Sequence, residues 1–290
     1  MKHAEARPAP DADLSAASLL RISPSRVLLM EPSFTTLIAH RGESSDAPEN
    51  TLPAYRMAVE RGFGFECDLY LSRDGRLFTF HDGDLSRTTG GADSRKCAEA
   101  TWDELSRLDV GGWGKWKGSR FEGTRPALLE EVLELARDGR RIYLEVKAGQ
   151  EAVEPVARVL AAQRRAHAGN VLFISFHAEV CAALKKRLPR YKVLWLSETR
   201  DARGAAVSPT DVAATLRRIG ADGVDMHFDP AVHDEAYIRA VHDAGFEFHA
   251  WVVNHPMKTL LAFCRGADSV TTDCARAQLE AIAADAALPW

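Results

Sequence analysis

Eight times in succession this chain follows a short run of β-branched and aromatic residues with a longer helical stretch. The strand-like runs are residues 35–40, 63–71, 141–147, 171–176, 192–198, 223–228, 246–253 and 268–272. The helical ones fall at about 51–61, 127–138, 151–166, 178–188, 209–219, 233–244, 256–265 and 275–286. Alternation of this kind gives parallel strands joined by right-handed crossovers. Eight units predict closure into a (β/α)8 TIM barrel. The competing architecture, an open doubly wound sheet, loses ground because no GxGxxG follows the first strand. A chain of 290 residues, 46% hydrophobic, suits one such barrel, whose usual size is about 250 residues.

Glycines at 62, 139, 220 and 245 stand where helices must close before the next strand. Asn50 and Ser208 read as helix N-caps. One interval breaks the rhythm. Residues 83–126 hold no barrel strand, and a loop that long inside a compact domain is an insertion or a functional element. It reads as a small insertion with one short helix at about 101–107, pinned by Trp102, Trp113 and Trp116. Residues 1–34 read as a partly mobile leader, and 35–290 as the barrel. The RVLLM run of the leader is expected to form a short strand or a plug for the barrel floor.

Several classes are disfavoured. The net charge of −4 offers no general attraction for nucleic acid or anionic lipid. No run of about 18 apolar residues predicts a membrane span. The leader is a poor secretory signal. Five cysteines with no CxxC pair do not make a disulfide framework or a thiolate metal site, and free thiols suit the cytoplasm. Oligomeric state is not legible in the sequence.

Barrel enzymes build their sites at the C-terminal ends of the strands. The stretch FECDLYLSRDGRLFTFHD is the most informative there. Asp74-Gly75 reads as a two-residue hairpin turn. That register sets Leu71 against Phe78, Leu69 against Phe80 and Asp68 against His81. Leu69, Leu71, Phe78 and Phe80 then share an apolar face, and Glu66, Asp68 and His81 share the other. Two acids spaced this way are a solvated face in most strands. On a barrel strand with an apolar opposite face they point into the mouth, where carboxylate oxygens suit a hard cation, Mg²⁺ or Ca²⁺.

The first strand ends in IAHRG, placing His40 and Arg41 at the mouth; Arg41 can grip a phosphate with two hydrogen bonds. Glu145 and Lys147, two apart in YLEVK, point the same way. Either they form a buried structural ion pair, or Glu145 completes a three-carboxylate cation site and Lys147 meets a phosphate. Later strands offer Ser175, His177, His227 and His249, and also Trp251, which walls a substrate or packs the core. HExxH, GxSxG and Walker patterns are absent.

Taken in order, IAHRG, APENT, ECDLYLSRDGRLFTFHD, LSRTTG and YLEVK resemble the glycerophosphodiester phosphodiesterase family. The likeness runs from about residue 36 to 275 and is densest over 36–147. It implies a TIM barrel with an insertion after the HD motif. It also implies metal-dependent hydrolysis of a small-molecule glycerophosphodiester to sn-glycerol 3-phosphate and an alcohol. By resemblance His40 and His81 are the general acid–base pair. Glu66, Asp68 and Glu145 ligate the divalent cation, and Arg41 and Lys147 contact the phosphate. SF at 175–176, AWVVN at 250–254 and TTD at 271–273 match later family elements. Departures are Ala127 where the family has Thr, Val252 where it has Thr, and no proline after Asp273. The alternatives are a lysophospholipase D, with Trp113, Trp116 and Phe121 guiding an acyl chain, and a barrel that binds a phosphoester without cleaving it.

Overall fold

The computed structural model describes residues 36–286. The leader and its RVLLM run therefore lie outside the described residues. The chain runs β1 (Leu37–Ala39), α1 (Leu52–Glu60), β2 (Gly64–Leu71), β3 (Leu77–Thr79), α2 (Trp102–Leu105), α3 (Leu129–Leu133) and β4 (Ile142–Val146). It continues α4 (Val153–Ala162), β5 (Val171–Ser175), α5 (Ala178–Arg187), β6 (Lys192–Ser197), α6 (Pro209–Ile219), β7 (Gly223–His227) and α7 (Glu235–Asp243). The last elements are β8 (Glu247–Trp251), α8 (Pro256–Cys264), β9 (Ser269–Thr272) and α9 (Ala275–Ala286).

All strands except β3 are parallel. The sheet order is β1-β9-β8-β7-β6-β5-β4-β2, and β1 pairs back onto β2 to close the barrel. Each of the eight expected strands is present at its expected place. The strands are buried on both faces, which is why their sequences read as near-continuous apolar runs. Outward side chains such as Cys67, Leu144 and Phe173 pack under the helices. Inward ones from the middle strands, Leu172, Ile174, Leu194 and Leu196, make a second apolar cluster inside the barrel. Among the described residues no helix is long and apolar enough to cross a membrane.

Three local expectations are corrected. The helix expected over 127–138 spans only Leu129–Leu133, so Gly139 (φ +73°) serves a later turn rather than the helix end. Thr51, not Asn50, caps α1, its hydroxyl accepting from the Ala54 amide. The hairpin is shifted by one residue: Leu69 pairs with Thr79, Tyr70 with Phe78 and Leu71 with Leu77. The turn has three residues, with Gly75 in the left-handed region (φ +78°). Ser72 sets it, since its Oγ accepts from the Arg76 amide (2.9 Å) and donates to Asp74 (2.7 Å). A slip of one residue reverses faces. Leu69 and Leu77 therefore face the helices, while Tyr70, Phe78 and Phe80 join an apolar cluster with Leu85, Cys97, Ala100, Leu105 and Val110.

That cluster is the core of the chain between β3 and β4. Within it α2 begins at Thr101, whose side chain and Glu104 satisfy each other's backbone amides. Trp102 lies against Phe78, and Trp116 meets Phe121 edge-on at 5.4 Å. Phe121 is buried against Ala47 and Ala54, beside α1. It fastens this segment to the barrel.

Candidate active site

Beyond Ala39 the chain turns through Arg41 (φ +56°) and Gly42 (φ +80°). A left-handed arginine is uncommon and costs free energy, so the surroundings must hold it. The Arg41 amide donates to Glu66 Oε2 at 3.0 Å. Gly42 cannot be replaced without movement, because a β-carbon there would lie 2.6 Å from Ala54. Asn50 is also left-handed (φ +55°). Its side chain donates to Asp68 Oδ2 at 2.6 Å and accepts from the Asp68 amide and the Tyr55 hydroxyl. The two strained residues thus grip the two acids of β2.

Alternation along β2 turns Glu66 and Asp68 inward, and the parallel register sets Glu145 of β4 beside Asp68. Oxygens of Glu66, Asp68 and Glu145 all lie within 4.8 Å of one another, and all three residues are buried. Lys147 reaches in, with Nζ 2.7 Å from Glu145 Oε1 and 3.1 Å from Asp68 Oδ1. Burial, followed by the charges of Asp68 and Glu145, pushes the Glu66 carboxyl well up. Burial also raises Glu145 against the pull of Lys147. For Asp68 burial is outweighed by Lys147, the two histidines and Arg41, which hold it well below the usual carboxylate range.

Glu66 Oε1 is buried and has no hydrogen-bond partner. A buried carboxylate oxygen without a donor is costly unless something positive meets it. Three convergent carboxylates with such an orphan atom fit a hard divalent cation.

Two histidines flank this cluster. His40 Nδ1 lies 2.7 Å from Asp273 Oδ1, and its Nε2 is 3.9 Å from Glu66 Oε2. His81 Nδ1 lies 2.7 Å from Asp82 Oδ1. A carboxylate only accepts, so each Nδ1 carries the proton, and in the neutral ring Nε2 keeps its lone pair. Burial and the Arg41 charge lower the His40 pKa despite Asp273, which favours the neutral form. Although His81 is not opposite Asp68 in the ladder, it lines one small cavity with Glu49 and Asn50. It reaches the cluster from the bend after β3.

The network of polar contacts extends beyond the expected residues. Arg87 bridges Asp82 and Glu49, and Glu49 holds Arg41 at 2.9 Å. Asp273 is itself held by Asn254. Glu49 and Asn50 lie in APENT, Asn254 in AWVVN and Asp273 in TTD. Those motifs were the available signal for these four residues, but no strand alternation pointed to them. Trp251 lines the mouth edge-on to Phe176, with Nε1 donating to the Asp225 carbonyl. Ser175 binds the Val146 carbonyl, and His249 is fully buried beside Tyr143 and Ser269, so both are held in structural contacts. Asp225 escaped the sequence reading altogether. It is 1% exposed, and its Oδ1 is without a hydrogen bond.

Comparison with known proteins agrees with this geometry. Residues 40–276 match the model of the glycerophosphoryl diester phosphodiesterase family. A glycerophosphodiester phosphodiesterase of Caldanaerobacter subterraneus is 35% identical over 163 residues, covering 55% of this chain and 65% of that protein. A human glycerophosphoinositol inositolphosphodiesterase is 30% identical over 259 residues, covering 82% of this chain and 46% of that one. The chain thus spans less than two thirds of the length of both relatives. Among solved structures, an Oleispira antarctica phosphodiesterase in complex with the product sn-glycerol-3-phosphate is 27% identical. It aligns with a TM-score of 0.73 over 86% of this chain and 96% of that one. A Thermotoga maritima glycerophosphodiester phosphodiesterase, 24% identical with a TM-score of 0.66 over 85% and 98% of the two chains, shares the fold. The chain belongs to the glycerophosphoryl diester phosphodiesterase family.

Proposed function

We propose that this protein hydrolyses glycerophosphodiesters to sn-glycerol 3-phosphate and an alcohol, with a divalent cation, Mg²⁺ or Ca²⁺, held by Glu66, Asp68 and Glu145. The observation that carries the reading is the buried carboxylate triad flanked by two histidines, each anchored through Nδ1 on an aspartate. A bound cation would offset the charge that builds on the phosphoryl oxygens.

The protein's own groups do the rest. The Nε2 lone pair of one histidine removes the proton of the attacking nucleophile, either water or the glycerol hydroxyl, which forms a cyclic phosphate that water then opens. Nε2 of the other, protonated, donates to the departing alcohol oxygen. The lowered pKa of His40 suits it to the base role. Asp273 and Asp82 keep both rings oriented. Lys147 and Arg41 supply the positive charge that holds the phosphate, and Trp251 forms a wall of the mouth.

The test is release of glycerol 3-phosphate from glycerophosphocholine after EDTA treatment, then with added Mg²⁺ or Ca²⁺. Cation-dependent release is expected. A folded protein that releases none with either ion would overturn the reading.

A further inference from the structure

The inward face of β2 continues past its two acids. Tyr70 is the next residue on that face. The ladder sets Asp68 beside Glu145 and Leu69 beside Val146, and the Lys147 amide extends it by donating to the Leu69 carbonyl at 3.1 Å. Tyr70 therefore stands one step further out, beside Lys147 on the adjacent strand. Its ring packs on the apolar cluster that holds Phe78 and Phe80. Its hydroxyl oxygen comes 3.7 Å from where a β-carbon on Gly83 would lie, two residues past His81. The residue is half-buried. A phenolic hydroxyl can donate a hydrogen bond to an anionic oxygen.

We propose that Tyr70 is a substrate-binding residue: its hydroxyl donates a hydrogen bond to a phosphoryl oxygen of the bound diester beside Lys147, and its ring walls the path of the departing alcohol. The proposal rests on the phosphodiesterase reading and adds a contact to it. It makes the segment between β3 and β4 part of the site, because that segment's core fixes the ring.

Tyr70→Phe removes the hydroxyl and keeps the ring. A hydrogen bond to a charged oxygen of this kind is worth a loss of about 10- to 100-fold in kcat/KM on glycerophosphocholine. Affinity for sn-glycerol 3-phosphate should fall by a comparable factor, with the melting temperature unchanged. Parental kcat/KM together with parental product affinity in Tyr70→Phe would overturn the proposal. If the parent binds the product without cleaving the diester, the hydrolytic reading fails, and the product affinities alone decide Tyr70. A parent that neither cleaves nor binds defeats both.

Discussion

Inside this barrel, β1, β2 and β4 bring His40, Glu66, Asp68 and Glu145 together on an acidic side, while Leu172, Ile174, Leu194 and Leu196 of β5 and β6 join Ile38 and Tyr143 in an apolar one. The two sides obey opposite rules. Each fully buried aliphatic side chain of the second group contributes about 1.5–3 kcal/mol by leaving water. The first group gathers like charges in a place where charge is expensive to bury. Its strained residues, Arg41 and Asn50, serve to hold those charges. Burial of the apolar group stabilises the fold, and burial of the acidic group costs free energy.

This contrast can be broken at several points. The largest effect is expected on the acidic side. His40→Ala or His81→Ala should each lower kcat by about 10²- to 10⁴-fold, with a melting temperature near that of the parent. Near-parental turnover in both variants would remove them from the chemistry. On the apolar side the pattern should invert. Leu194 is fully buried, and Leu194→Ala should cost about 2–5 kcal/mol of stability, measured by urea unfolding. Its turnover per folded molecule should stay close to the parent's.

Asp225 sharpens the comparison because it is an acid on the otherwise neutral side. Burial, then the charge of Glu145, pushes its carboxyl up to about 8. The folded state therefore binds this proton more tightly than the unfolded chain, whose carboxyl has the ordinary value of 3.8. The protonated group sits comfortably below pH 4, and stability drains away as pH rises from there to 8. Asp225→Asn removes that loss. Its stability advantage should widen by at most about 1.4 kcal/mol per pH unit across the window. Parallel stability–pH curves for the two proteins would contradict the assignment.

Strand order and the Glu66/Asp68 pair were legible because both rest on short-range periodicity; Glu145, on another strand, was assigned to them only through the family resemblance. Buried runs mark the strands, and acids at i and i+2 must share a face. The hairpin register was not legible, because Asp74-Gly75 fits a two-residue turn as well as the three-residue one that Ser72 closes. Asn50 was misread for a similar reason. Asparagine and threonine are both good caps, and only the tertiary demand of Asp68 decides which of the neighbours does which task. The Asp273 support of His40 joins residues 233 apart in the chain, beyond the reach of any local pattern.

The central claim is that Glu66, Asp68 and Glu145 hold a divalent cation. Calorimetric titration of Mg²⁺ or Ca²⁺ into EDTA-stripped protein tests it directly, with Glu66→Gln as the paired variant. One ion per chain in the parent, with binding lost in Glu66→Gln, is the predicted result. No ion bound by the folded parent, or equal binding in the variant, would contradict it.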